Sequence, residues 1–255
     1  MRRKTVVVAI AVVVAGGVLL PAGRHGSSGR GVVPASVQSD QPVHSPARSV
    51  VSQRAPEAIS YPVAGTRSYA VLPGDPSVIG HAGNLLRFQI AVEGGIAGLD
   101  RGAFARFVRA TYGAAQGWAS HGLWRFQQVG PGTSPDFTLM LVTPATRDLL
   151  CGAGPDRYTS CRMGNRVVLN VARWVHGVRN YNAPLTTYRQ YMVNHETGHR
   201  LGSGHELCPG PGRPAPVMQQ QTLGLHGCTA YAWPYVNGAR YLGRLGQYDD
   251  PIPHS

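Results

Sequence analysis

The chain has 255 residues, with 24 Lys/Arg against 12 Asp/Glu, a formal net charge of +12 and a sequence pI near 10.1. A basic excess of this kind suits anionic surroundings such as cell-wall polymers, lipid head groups or acidic substrates, or is simply a solvated surface. No Arg/Lys run is interleaved with aromatics, which excludes a nucleic-acid module, and the amino-terminal part is too poor in patterned apolar residues to build a core, so one folded domain is expected.

Met1-Arg2-Arg3-Lys4 is a basic start, and Thr5 to Leu20 is an uninterrupted apolar run, so residues 1–22 read as an export signal or membrane anchor. The run is short for a membrane span and long for a cleaved signal, so secretion and anchoring to the outer face of the cytoplasmic membrane both stay open. No cysteine follows it to take a lipid. Residues 23–64 mix Gly, Ser, Pro, Val and Arg without a period, as in Gly26-Ser27-Ser28-Gly29-Arg30-Gly31, and read as a disordered linker. The working domain is then 65–255.

Within it, Leu85 to Val92 alternates as a strand, and Asp100 caps a helix through Phe104, Phe107, Val108 and Tyr112. Trp124 to Val129 and Phe137 to Val142 are two further strands, the second apolar enough for a sheet centre. Arg166 to Val171 is another. Before it, Tyr158 to Cys161 and the turn-forming Met163-Gly164-Asn165 indicate a short hairpin whose first strand is an antiparallel edge. Such an edge either receives an extended peptide or is merely capped. The order of strands and helices gives an α+β fold.

A helix should start at Ala183-Pro184, with proline at its first position. Leu185, Tyr188, Met192, His195 and His199 then recur at spacings of three and four, so the histidines continue the inward stripe, which Val193 widens. Gly198 leaves room beside His199 for close packing.

This helix runs into His195-Glu196-Thr197-Gly198-His199-Arg200-Leu201-Gly202-Ser203-Gly204-His205, an H-E-x-x-H-x-x-G-x-x-H pattern. At average residue usage its five fixed positions arise on the order of once in 10^7 starting points. Neutral imidazole is a zinc ligand, and a hydrolytic zinc site needs three protein ligands and an open position. Residues four apart share a helix face, so His195 and His199 can hold one ion with Glu196 beside it. Gly202 can leave the helix at positive φ and bring His205 round as third ligand.

Cys151, Cys161, Cys208 and Cys228 are an even set in an exported chain, and nearest-neighbour pairing gives Cys151 with Cys161 and Cys208 with Cys228. The second bridge would close a loop around Met218. From Thr229 onward, Tyr231, Trp233, Pro234, Tyr235 and Tyr241 read as an irregular tail over the domain, with Asp249 to Ser255 loose. His81, His121, His176 and His226 have no ligand spacing and read as ordinary histidines.

The extended motif with a methionine downstream resembles the metzincin clan of zinc metallopeptidases, closely from His195 to about Thr222. Within that clan, the block Arg213-Pro214-Ala215-Pro216-Val217-Met218-Gln219-Gln220 resembles an uncharacterised family of exported actinobacterial proteins. The resemblance implies His195, His199 and His205 as Zn2+ ligands, Glu196 as general base, and Met218 in a tight turn beneath the metal. It also implies a twisted mixed sheet on the active-site helix, with substrate extended along the edge strand. Glu206 follows the third histidine as in astacins, without the rest of that signature, and Gln220 stands where some metzincins carry a metal-binding tyrosine. Tyr231 and Tyr235 are then the nearby candidates for a transition-state donor.

The expected function is an extracellular zinc metalloendopeptidase acting on protein or peptide, with membrane anchoring or cell-wall association as further expectations. The alternatives are a non-catalytic zinc-bearing binding module on a peptidase scaffold, and a zinc amidase acting on cell-wall peptides.

Overall fold

The structure is a computed structural model that describes residues 58–152 and 154–253, all within the unit Gln53–Ser255. The expected signal at 1–22 and most of the expected linker lie outside the described residues. Ser60 exchanges two backbone hydrogen bonds with Ala97 (3.1 and 2.9 Å), so pairing with the domain reaches upstream of residue 65. Among the described residues no helix is long and apolar enough to cross a membrane.

The elements are β1 (Tyr69–Val71), β2 (Val78–Ile79), β3 (Asn84–Glu93), α1 (Arg101–Gly113), β4 (Trp124–Gln128), β5 (Phe137–Val142), α2 (Pro144–Cys151), β6 (Cys161–Met163), β7 (Arg166–Asn170), α3 (Val171–His176), α4 (Leu185–Arg200), β8 (Tyr235–Val236) and β9 (Ala239–Arg240). A mixed sheet runs β2-β4-β3-β5-β7-β6, and β1 pairs with the far half of β3. Strands β4, β3, β5 and β7 are parallel; β2 and β6 are antiparallel edges. The α+β reading holds, with β5 at the sheet centre.

The period of two in β3, β5 and β7 is what makes these segments a sheet with two covered faces. Ile90, Leu139 and Val167 occupy one row, in register, on the face that packs against α1 and α4. Ala91, Met140 and Val168 point the other way and join Cys151 of α2. Each fully buried aliphatic side chain contributes about 1.5–3 kcal/mol of transfer free energy.

Helix α1 begins as expected. The Asp100 carboxylate accepts the Ala103 backbone N–H (2.8 Å), and Phe104, Val108 and Tyr112 turn inward at spacings of four. Tyr112 Oη and Thr197 Oγ1 are hydrogen-bonded at 2.9 Å, and the Trp118 indole donates to the Asn194 carbonyl at 3.0 Å, so α1 and its following turn fix the rotation of α4.

Three expectations shift. Pro184 caps α4 with an extended ψ of 148° rather than occupying its first helical position, because that ψ turns its carbonyl to the Tyr188 N–H (3.2 Å). Helix α4 is buried on every side from Tyr191 to Gly198, since the sheet, α1 and the loop around Met218 enclose it; the inward stripe is only part of its buried surface. The edge strand β6 is Cys161–Met163, so the segment from Tyr158 to Ser160 leads into it instead of forming it. Asp156 organises that lead, accepting from the Tyr158 and Thr159 amides (2.7 and 2.8 Å) and pairing with buried Arg147 (2.5 Å).

Both disulfides pair as expected, Cys151 with Cys161 and Cys208 with Cys228, at Cα separations of 6.1 and 5.9 Å. The first fastens β6 to α2. Disulfides of this kind fit an oxidising compartment.

Glu93, at the end of β3, is fully buried. Its carboxylate accepts four hydrogen bonds: Thr143 N (2.7 Å), Thr143 Oγ1 (2.8 Å), Thr146 Oγ1 (2.6 Å) and Arg67 N (3.0 Å). It ties the start of α2 to the loop before β1.

A candidate metal centre in the cleft beneath the edge strand

Helix α4 ends where the motif requires it to. Ser203 N donates to Gly198 O (2.9 Å) and Gly202 N to His199 O (3.2 Å), with Gly202 at φ +95°. This pair of bonds about a left-handed glycine stops the helix and reverses the chain. His205 is thereby returned to the two helical histidines.

The three Nε2 atoms converge. His199 Nε2 lies 3.2 Å from His195 Nε2 and 3.1 Å from His205 Nε2. Ligand nitrogens 2.0–2.1 Å from a tetrahedral ion stand about 3.3 Å apart, so the spacing fits zinc. The outer nitrogens say more. His195 Nδ1 is 2.8 Å from Val217 O, His199 Nδ1 is 2.9 Å from Ser203 O, and His205 Nδ1 is 3.0 Å from Gln247 Oε1. Each partner is an acceptor, so each Nδ1 carries the proton and each Nε2 presents a lone pair to the common point. Three acceptors facing one another need a cation between them, and the residues present therefore fit a metal ion.

Electrostatics keep the donors unprotonated. Burial, then the neighbouring His199 and His205, hold His195 well below the usual imidazole value. Burial lowers His199 to about 4 against the opposing bond to Ser203, and lowers His205 against its bond to Gln247.

Met218 is carried on a tight turn that follows the three histidines in the chain. Gln219 N donates to Pro216 O (3.0 Å) to close that turn, and Met218 O accepts from Glu206 N (3.1 Å). Its side chain is fully buried. A Cβ on Gly198 would come within 2.3 Å of Met218 Sδ, so this helix position accepts only glycine while the turn stays put. The same turn presents Val217 O to His195. The loop thus fixes the His195 ring and packs against α4 at Gly198.

Glu196 shares with the three histidines a cavity of about 390 Å³ whose walls include Arg147, Arg162, Tyr191 and Leu223. Among the described residues its carboxylate has no hydrogen-bond partner. Burial pushes Glu196 up to about 8, opposed by the charges of Arg147 and Arg162. That value belongs to the chain without a metal; a dication alongside draws the pKa down again and leaves a carboxylate.

Several sequence expectations settle around this cleft. Glu206 is buried rather than solvent-facing, and accepts from Gly243 N (3.1 Å) and Arg240 Nη2 (3.5 Å). Tyr231 and Tyr235 are absent from the cavity wall: Tyr231 Oη donates to Tyr235 O (2.8 Å), and Tyr235 lies against the His121 ring at 4.0 Å. Proximity in sequence misled because β8 and β9 carry that stretch away. His226, read as ordinary, pairs with Asp250 at 2.8 Å. Gln247, which orients His205 across 42 positions, and the cleft-lining Arg147, Arg162 and Tyr191 carried no sequence signal.

A mixed α/β domain presenting three convergent histidines and a buried glutamate is the class defined by fold and site. Residues 55–235 match the family model described as Protein of unknown function (DUF3152), and the chain belongs to that family. Neither the curated proteins nor the solved structures include a match.

Proposed function

We propose that the chain is an exported zinc-dependent endopeptidase of metzincin type. The observation that carries this reading is the single cleft holding three unprotonated Nε2 atoms and an otherwise unpartnered buried carboxylate, roofed by an antiparallel edge strand. Zinc, when bound there, supplies a Lewis acid for a peptide carbonyl and lowers the pKa of a bound water from about 15.7 to near 7. Glu196 takes the water's proton at its carboxylate and delivers it to the departing amide nitrogen, the acid–base work for which its position beside the ligands is suited. The exposed outer side of β6 pairs with an extended substrate main chain, and the disulfide to α2 with the Arg147–Asp156 ion pair holds that rim in place. Gln220, where a tyrosine would sit in some metzincins, lines the cavity, and Arg162 is an exposed cationic group on the same wall.

A binding-only module has no use for a buried carboxylate without a partner, because such a group costs stability. The amidase reading shares the chemistry and differs in substrate. Incubating purified chain with casein and with peptidoglycan, each with and without a chelator, separates the three. Chelator-sensitive casein cleavage is expected; release of peptide from peptidoglycan alone selects the amidase, and no cleavage of either selects the binding module.

A further inference from the structure

The stretch after Leu245, of which Asp249 to Ser255 were expected to be loose, is fastened at successive points beside the cleft. Gly246 N donates to His205 O (3.0 Å), and Gln247 Oε1 accepts from His205 Nδ1 (3.0 Å). Tyr248 stacks on His226 with ring centroids 3.4 Å apart, and its hydroxyl accepts from Cys208 N (3.2 Å). Asp250 pairs with His226 at 2.8 Å. Ile252 then forms part of the wall of the cavity that holds the three histidines and Glu196, and Pro253 part of the neighbouring cavity with Tyr158, Arg173 and His176. The segment therefore runs from the third histidine past Cys208 and His226 to the wall of the cavity. Ile252 is exposed on its outer side, and its remaining surface contributes to that cavity wall.

Composition fits the same path. Asp249 and Asp250 are an acidic pair in a chain of net charge +12, and they precede a cleft walled by Arg147 and Arg162 and a second cavity walled by Arg173 and Arg179. Prolines on both sides of Ile252 fix φ and remove amide donors, so the segment is pre-extended and cannot complete a strand ladder with β6.

We propose that residues 249–253 are a tethered self-ligand of the cleft, which shields the three-histidine centre and must leave before another chain can enter, while Gln247 keeps its bond to His205. The ligand class the cleft takes is thereby an extended, proline-flanked peptide with one aliphatic side chain against the cavity wall. Tethering makes a weak contact effective, because a short linker supplies a local concentration of order millimolar. The inference rests on this cleft being the working site of the proposed peptidase.

The test uses the full chain, stripped of metal, and diethyl pyrocarbonate, which acylates accessible imidazole nitrogen. Rates at His199 and His205 are read by peptide mass spectrometry in wild type, Ile252→Arg and Ile252→Val. Ile252→Arg should react at least about threefold faster at both histidines, since it loses the aliphatic contact and sets a cation against arginines, while Ile252→Val should stay near wild type. Asp250→Ala, which only unfastens the segment from His226, should also accelerate and guards against a folding defect in the first variant. Equal rates in all four proteins overturn the proposal. Casein cleavage by the zinc-loaded proteins separates this from the peptidase reading. Faster acylation without any cleavage leaves the self-ligand standing and removes the peptidase, whereas cleavage with equal acylation does the reverse.

Discussion

Two buried glutamates in this domain are treated in opposite ways. Glu93 receives four hydrogen bonds from Thr143, Thr146 and Arg67, so its charge is distributed over donors that a folded chain supplies locally. Glu196 receives none among the described residues and faces the cavity with the three histidines. A buried carboxylate without donors costs stability, whereas one with donors holds a structure together. The contrast separates a region whose charge is satisfied by the fold from one left open to a cavity, which under the proposed function is the reactive one.

The largest effect should come from breaking the reactive side. Glu196→Gln keeps the volume and removes the base, so cleavage by protein carrying one zinc per chain should fall by about 10²–10⁴-fold, with zinc content unchanged by metal analysis. Breaking the rigid side should show in stability alone: Glu93→Ala strands buried donors and should cost about 3 kcal/mol in urea unfolding, while zinc affinity of the folded protein stays as in wild type. An equal loss of zinc affinity would mean that the two regions are not separable.

Smaller changes sharpen the boundary between them. Gly198→Ala drives a Cβ into Met218 and should cost about 1–3 kcal/mol, with weaker zinc binding as the turn that presents Val217 O shifts. Gln247→Ala removes the acceptor that orients His205 and should weaken zinc about 10-fold by competition with a chromophoric chelator, with little loss of stability.

The least effect is one of pH on the metal-free chain. Glu196 is raised from its model-peptide value of 4.5 to about 8, so between those values the folded chain binds more protons than the unfolded one. Its contribution is present in full below pH 4.5 and is lost as pH rises through 8. The histidines act oppositely: with folded pKa values depressed, they favour folding above pH 6.5, and that contribution is lost as pH falls toward 4. Melting temperature should thus fall between about pH 6.5 and 8 in wild type and lose that fall in Glu196→Gln. An unchanged alkaline limb would place the titration elsewhere.

What could be read in the sequence follows from the range of the interaction. The three histidines lie within eleven residues, and the helix period with one glycine exit is enough to bring His195, His199 and His205 together. Strands β3, β5 and β7 were legible because alternation within each segment encodes two buried faces. Asn237-Gly238, at φ +47° and +80°, is a local hairpin signal that sequence reading passed over among the tail's aromatics. Gln247, Arg162 and the Glu93 network were not legible at all. Their partners lie tens of residues away, and nothing in local spacing distinguishes a glutamine that orients a ligand from one in solvent.

The most direct measurement of the central claim is zinc X-ray absorption on the purified chain loaded with one equivalent. Three imidazole nitrogens at about 2.0–2.1 Å with one further light atom are predicted, falling to two imidazoles in His205→Ala. Failure to retain one zinc, or a sulfur scatterer at about 2.3 Å, would contradict it.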